Sequence, residues 1–197
     1  MISLDKIKEA HKKIAPYVNS TPLIHSDFLS QSKTVKLKLE SLQITGSFKL
    51  RGAVNKLLSL SEEQKNKGVV ACSTGNHGKG VAYAASALGI KSTIYMSTMV
   101  PQYRKEAIEA LGAKVEIVGN NSDEADLYSR EISKKENITL VHPFDDEEVI
   151  AGQGTIGLEM LKDFPEVDTV IIPTSGGGLT GGIALALKLQ KPDVKII

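Results

Sequence analysis

The segment Val69–Leu88 reads VVACSTGNHGKGVAYAASAL and is the clearest indication of the fold class. Its first four residues are a short apolar run typical of a buried strand. A loop of small residues follows at 73–78, and the remainder predicts a helix of small residues from His77 to Leu88. A strand that passes through a short loop into a helix is the unit from which parallel sheets are built.

The same alternation continues along the chain. The pattern predicts further strands at 92–96, 114–118, 138–141, 167–172 and 194–197, and helices at 101–111, 123–135, 147–161 and 179–189. Upstream it predicts a helix that Ser3 caps and that ends near Ile14, an edge strand at 21–24 and a strand at 35–39. Alternation of this kind implies an α/β fold with a parallel sheet flanked by helices on both faces.

The composition is that of an ordinary globular protein. The 197 residues are 41% hydrophobic and 24% charged, with a net charge of +1, so nothing indicates a nucleic-acid or acidic-membrane partner. No apolar run is long enough for a membrane span, and the first residues lack a signal-peptide core. The single cysteine, Cys72, excludes an internal disulfide and a cysteine metal cluster. We therefore expect a cytoplasmic protein with no metal ligands and with Cys72 as a small core residue.

Lys49 lies just inside the start of a predicted helix, in the segment Thr45–Gly52, TGSFKLRG. Gly46 permits a tight turn, and Ser47 is the expected N-cap. The helix dipole is positive at this end and disfavours an ammonium group. The placement is useful if Lys49 must lose its proton and act as an amine nucleophile, although an ordinary solvated lysine also fits.

Two loops of small residues each follow an apolar run and open a helix. In the second, SGGGLTGG at 175–182, Gly176–Gly178 allow backbone N–H groups to converge on an anion. A tight turn also fits, as does the dinucleotide fingerprint G-x-G-x-x-G of an oxidoreductase. In the first, STGNHG at 73–78, the N–H groups suit a carboxylate, while Asn76 fits a plain helix cap equally well.

Taken in this order, Lys49 and the two loops resemble the fold-type II pyridoxal-phosphate enzymes, specifically the threonine/serine dehydratase and serine racemase family. The segments 38–43, 142–145 and 150–157 extend the resemblance over the whole chain. The resemblance implies the tryptophan synthase β-like fold, with parallel twisted sheets flanked by helices. It also implies a smaller domain at about 50–141 and a larger domain formed by 1–49 and 142–197.

In that family the larger domain continues past the length of this chain. We therefore expect that 1–197 is a truncated dehydratase-like domain whose last strand lacks a neighbour. The partner of the pyridine nitrogen and the acidic cation ligands of relatives would lie beyond Ile197.

The resemblance assigns chemistry to the three motifs. Lys49 would form a Schiff base with the cofactor and then move the α-proton. Thr74 is the second acid/base candidate, because simple dehydratases have alanine and serine racemases have serine at this position. The implied cofactor-binding residues are Phe48, Lys49, Asn76, Ser175, Gly176, Gly177, Gly178 and Leu179. The implied substrate-binding residues are Ser73, Thr74, Gly75, Asn76 and His77.

The implied protein is a lyase of amino-acid metabolism with pyridoxal 5′-phosphate as its cofactor. It would convert a 2-amino-3-hydroxy acid such as threonine or serine into a 2-keto acid and ammonia, and it would form a homo-oligomer. Thr74 leaves a racemase of serine or a similar amino acid open. The expected truncation leaves a non-catalytic fragment that binds the cofactor or an amino acid open.

Overall fold

A computed structural model describes every residue from Met1 to Ile197. The helices are α1 Leu4–Ile14, α2 Lys49–Leu58, α3 Glu62–Lys67, α4 Asn76–Ala87, α5 Gln102–Glu109, α6 Ser122–Glu136, α7 Glu147–Asp163 and α8 Gly178–Lys188, with a short 3-10 helix at Glu40–Leu42. The strands are β1 Leu23–His25, β2 Lys36–Lys38, β3 Val69–Cys72, β4 Ser92–Met96, β5 Lys114–Ile117, β6 Thr139–Leu140, β7 Thr169–Val170 and β8 Lys195–Ile196.

The central sheet has four parallel strands in the order β5-β4-β3-β6. Helices cover both faces of this sheet. Ile94 and Tyr95 of β4 show this, because neighbouring side chains on a strand point to opposite faces. A Cβ at Gly78 in α4 would lie 3.3 Å from Ile94. The ring of Tyr95 instead meets Tyr128 of α6 edge-on, with centroids 5.3 Å apart. The α/β fold with a parallel sheet flanked by helices is therefore confirmed.

The remaining strands form two small sheets apart from the central one. β1 and β2 pair antiparallel with each other, and β7 pairs in parallel with β8. The strands from β3 onward are thus divided between two parallel sheets, in keeping with the parallel twisted sheets that the resemblance implies. Hydrophobic periodicity identifies a strand, but it does not determine which neighbour the strand will pair with.

The helix starts differ in how they are capped. Ser3 caps α1 as predicted, because its hydroxyl accepts the Lys6 N–H at 3.1 Å. The predicted cap of α2 is wrong: Phe48 occupies the N-cap position without a capping side chain, and the buried Ser47 hydroxyl has no hydrogen-bond partner. The hydrophobic pattern does not predict α3, because its six polar residues show no apolar period; a capping box with Ser61 defines its start.

α7 makes direct backbone contact with the two helices that follow the lysine and glycine motifs. A Cβ added at Gly152 would lie 2.7 Å from the Cα of Gly52 in α2. A Cβ added at Gly182 in α8 would lie 2.7 Å from the backbone nitrogen of Gly154. The glycines of α7 therefore allow a close approach that fixes α2 and α8 relative to each other.

Buried apolar side chains form three clusters. The largest has 19 residues, all between Leu50 and Val141 except Ile14. A second cluster of seven joins α7 and α8 to β7, and a third of four lies where α1 meets α7 and α8. No helix combines the length and apolar character needed to cross a membrane.

Candidate active site

Lys49 is the first residue of α2 and is half-buried. Its Nζ donates a hydrogen bond to the backbone carbonyl of Pro143 at 2.6 Å. Burial lowers the pKa of Lys49 below the ordinary 10.5, and no neighbouring charge offsets this effect. Lys49 therefore carries a neutral amine at a lower pH than a solvated lysine does.

The loop between β6 and α7 connects this lysine to the glycine-rich loop. Pro143 accepts the lysine hydrogen bond, and the next residue, Phe144, lies against the glycines. A Cβ at Gly176 would collide with the Phe144 ring, and one at Gly178 would lie 2.7 Å from the Phe144 carbonyl oxygen. Glycine at these two positions is thus required by the close approach of Phe144.

His142 holds the same loop from its other side. Its Nδ1 accepts the backbone N–H of Asp145 at 2.8 Å and that of Phe144 at 3.3 Å. The imidazole also meets the Phe144 ring edge-on, with centroids 4.7 Å apart. Burial, followed by the Arg130 charge, lowers the pKa of His142, so the neutral ring that can accept these bonds is favoured.

The glycine-rich loop leaves the start of α8 open to an anion. Gly177 is the N-cap with φ 86°, a left-handed conformation that glycine adopts without strain, and no side chain caps the helix. The first N–H groups of a helix have no partner within it, and the dipole there is positive. Ser175, Gly176 and Gly177 are exposed, whereas Leu179 is partly buried against the second apolar cluster. The loop therefore fits a phosphate group.

The loop at 73–78 has a similar open helix start. The Ser73 hydroxyl accepts the Gly75 N–H at 3.2 Å, and Gly75 is the N-cap of α4 without a capping side chain. Asn76 does not act as the cap; it is the first residue of the helix and is exposed. Thr74 is half-buried, and its backbone carbonyl accepts a hydrogen bond from Arg104 at 3.3 Å.

α4 brings this loop close to the lysine. A Cβ at Gly80 would lie 3.2 Å from the carbonyl carbon of Lys49, so α4 packs directly on the first turn of α2. His77 is buried beside it and donates from Nε2 to the Val141 carbonyl at 2.8 Å, since a carbonyl can only accept. Burial, aided by the charge of Lys49, lowers the pKa of His77 to about 4, so its buried ring is neutral at neutral pH.

Phe48 places an aromatic ring next to the lysine, with 5.3 Å between its centroid and Nζ of Lys49. The ring packs on the second apolar cluster and lines a cavity of about 1140 Å³ between β2 and β7. Leu179 lines the same cavity. The cavity thus extends from the lysine segment to the start of α8.

Lys49, the loop at 73–78 and the glycine-rich loop are therefore brought together through Phe144 and Gly80. Sequence reasoning assigned no role to Pro143, Phe144 or Arg104. The segment at 142–145 carries only a resemblance to relatives, because no local pattern links a carbonyl to a lysine 94 residues away. Arg104 carried no signal beyond its position near the start of a helix.

Comparison with known proteins gives concordant matches. The catabolic L-threonine dehydratase TdcB of Staphylococcus aureus (strain USA300) is 52% identical over 200 residues, which cover 100% of this chain and 58% of the relative. The structure of maize serine racemase matches with a TM-score of 0.94 and 38% identity, over 99% of this chain and 60% of that one. The threonine deaminase of T.th. matches with a TM-score of 0.90 and 42% identity, over 98% and 63%.

The chain thus spans 58% of the length of the curated relative it matches. The sequence profile of the pyridoxal-phosphate dependent enzymes matches residues 14–197, nearly the whole chain. The half-buried lysine and the two uncapped helix starts lie within that match. The chain therefore belongs to the family of pyridoxal-phosphate dependent enzymes.

Proposed function

We propose that this chain supplies the lysine and the anion-binding loops of a threonine/serine dehydratase. The observation that carries the proposal is the lowered pKa of the half-buried Lys49, whose amine has a carbonyl partner and lies beside two helix starts without caps. The names of a dehydratase at 52% identity and a deaminase at 42% identity support the substrate class. The reaction removes water across C2 and C3 of a 2-amino-3-hydroxy acid, and water then replaces the nitrogen to leave a 2-keto acid and ammonia.

Pyridoxal phosphate, when bound, supplies an aldehyde that condenses with amines and a ring that accepts the electron pair of the α-carbon. The N–H groups of Ser175 to Leu179 would bind the phosphate, aided by the positive end of α8. Phe48 and Asn76 would lie against the ring, with Asn76 offering its free side chain to the ring hydroxyl. The N–H groups at the start of α8 have no side-chain cap, and Asn76 is exposed, so both are free to bind the cofactor.

Lys49 is the base in this proposal. Because burial lowers its pKa, a larger share of its amine is neutral at neutral pH and can accept the α-proton. The loop Ser73–His77 would hold the substrate carboxylate through its N–H groups at the start of α4. His77 would contribute its backbone, since its Nε2 already donates to Val141.

The test is to fix the cofactor on the protein and locate it. Purified protein is incubated with pyridoxal phosphate, reduced with borohydride and mapped by peptide mass spectrometry. We expect the cofactor on the peptide containing Lys49 and its loss in Lys49→Ala. Lys79→Ala removes another half-buried lysine one turn into α4 and should change nothing. Cofactor scattered over exposed lysines, with none at Lys49, would contradict the proposal.

Keto-acid release then separates the enzyme from a binding fragment. L-threonine and L-serine are supplied, and keto acid and ammonia are measured together. Equal amounts of both products, absent in Lys49→Ala, are expected from a dehydratase. Cofactor fixed at Lys49 without product would instead favour a chain that binds cofactor but does not turn over.

An amino-acid racemase is the second candidate, because Thr74 offers a half-buried hydroxyl for which the structure shows no hydrogen bond. The similarity to maize serine racemase at 38% identity also favours it. A racemase should exchange the α-proton of L-serine in D₂O and form D-serine. Thr74→Ala should abolish the formation of D-serine, whereas Thr74→Ser should retain it. Keto-acid release that is equal in both variants, without D-isomer, would exclude this role.

We also propose that 50–141 forms the smaller domain and that 1–49 with 142–197 belongs to the larger one. The restriction of the 19-residue cluster almost wholly to 50–141 supports this division. A homo-oligomer in the cytoplasm is proposed from the family resemblance and from the single cysteine. Limited proteolysis would test the division into domains, and light scattering would test the oligomeric state.

A further inference from the structure

A cluster of buried charges lies behind the first turns of α2. Arg51 is fully buried, and its neighbours Glu159 and Lys38 expose only 5% and 6% of their side chains. Glu40 completes the cluster with 14% exposed. Two positive and two negative groups are therefore removed from water together, and they come from β2, the 3-10 helix, α2 and α7.

Arg51 makes a two-point contact with each carboxylate. Its Nη1 and Nη2 donate to Glu159 at 2.6 and 2.9 Å, and its Nε and Nη2 donate to Glu40 at 2.9 and 2.9 Å. Nη1 also donates to the Thr155 hydroxyl at 3.1 Å. Planar forks of this kind fix orientation as well as distance, which a lysine cannot do.

Burial alone would raise the pKa of Glu159, but hydrogen bonds and charges from Arg51 and Lys38 outweigh it and lower the pKa. The carboxylate therefore stays ionised, and the forks persist at neutral pH. A buried ion pair is weak evidence for stability, since apolar residues of the same volume often serve as well. What the cluster does supply is a single allowed position for the Arg51 side chain.

That position matters because it adds side-chain hydrogen bonds to a helix start that α4 and α7 otherwise hold only by packing. No side chain caps this helix, and the Ser47 hydroxyl beside it is buried without a partner. A helix turns by about 100° per residue, so Lys49 and Arg51, two positions apart, lie about 200° apart and project to opposite sides. Arg51 thus holds the helix from behind while Lys49 faces the Pro143 carbonyl in front.

We infer that Arg51 is a positioning residue for Lys49: its two carboxylate forks fix the rotation of α2 and so direct the lysine amine to the Pro143 carbonyl. The inference rests on the proposed role of Lys49 in catalysis. Arg51 itself reaches neither loop of the site, because its donors are all turned toward Glu40, Glu159, Thr155 and the 19–21 segment.

Competitive labelling of lysine amines over a range of pH measures the pKa of Lys49 in the protein without cofactor. In Arg51→Lys, which keeps the charge but loses the forks, we expect this pKa to move up toward that of exposed lysines. The rate of borohydride-dependent cofactor fixation at Lys49 should fall about tenfold or more, as expected for a misplaced reacting group. Glu40→Gln weakens one fork and should shift both measurements in the same direction by less.

Lys38→Met is the matched control, because Lys38 is buried in the same cluster and bonds Glu159 but not Arg51. It should lower the unfolding temperature while leaving the Lys49 pKa and fixation rate unchanged. If Arg51→Lys behaves in the same way as Lys38→Met, the cluster is only structural and the inference is overturned. If Arg51→Lys does not fold, an unchanged Lys49 pKa in folded Glu40→Gln overturns it. Absence of cofactor at Lys49 in the unmodified protein would refute the proposed function, and the labelling would still decide the role of Arg51.

Discussion

Replacing Gly152 by alanine tests how closely α2 and α7 must approach for the site to form. The added Cβ would lie 2.6 Å from the Arg51 carbonyl oxygen and 2.7 Å from the Gly52 Cα. Because these are backbone atoms, no side chain can rotate away to make room. Non-bonded carbons come into contact at about 3.5–4.0 Å, so the two helices would have to separate by about 1 Å.

The energetic cost follows from this separation. Forcing an extra methyl group into a packed interior costs about 1–3 kcal/mol. A cost of about 2 kcal/mol lowers the unfolding temperature of a protein of this size by about 4–8 °C. The same shift carries Lys49 with α2, and a misplacement of about 1 Å can reduce a reaction about a hundredfold.

Thermal unfolding followed by circular dichroism measures the first effect, and cofactor fixation at Lys49 measures the second. Gly181→Ala is the control, because a Cβ there meets nothing within 4 Å and the residue lies within α8. It should be neutral or stabilise by about 0.5–1 kcal/mol through helix propensity. If Gly152→Ala melts at or above the unmodified protein and fixes cofactor normally, the close helix contact does not position the site.

Three other sets of substitutions probe single contacts. Burial lowers the pKa of Lys49 in the folded protein below the 10.5 of the unfolded chain. Between these two pKa values the unfolded chain binds more protons, so the free energy of unfolding rises with pH. Lys49→Met should flatten this rise in urea titrations up to about pH 10.5. Ser61→Ala should lower the free energy of unfolding by about 1 kcal/mol, because Ser61 caps α3. Ser47→Ala should leave it almost unchanged in the same denaturation assay, because the Ser47 hydroxyl has no hydrogen-bond partner. Equal losses would show that Ser47 does cap α2. Arg104→Ala removes the exposed hydrogen bond to the Thr74 carbonyl, so it should weaken amino-acid binding severalfold, as measured by calorimetry. It should change the free energy of unfolding by less than about 0.5 kcal/mol. Unchanged affinity would show that the loop at 73–78 holds its shape without Arg104.

The local features of the site could be predicted because they depend on neighbours within a few residues. The segment at 69–88 shows its strand, loop and helix directly, and the structure places them at Val69–Cys72 and Asn76–Ala87. The glycine run at 176–178 likewise precedes a helix start that no side chain caps. In both cases the size and shape of consecutive residues determine the backbone.

Other local expectations failed because a tertiary contact outweighed them. Ser47 has the right chemistry and position for a cap, yet Phe48 takes that place, and Arg51 holds the helix through Glu159, 108 residues away. The pairing of β7 with β8 could not be predicted either, because the hydrophobic pattern of a strand does not indicate which strand it pairs with.

The α/β alternation, the position of Lys49 at a helix start and the two loops suited to anions can all be predicted from the order of residues along the chain. Three features instead depend on the folded arrangement: the Lys49 amine meets the Pro143 carbonyl, Phe144 lies against the glycines, and four charged side chains are largely removed from water behind α2. The two sets of features differ in the sequence distance over which their causes act. Backbone conformation and capping depend on groups within about one helical turn, whereas burial, pKa and the direction of a side chain depend on residues that only folding brings together.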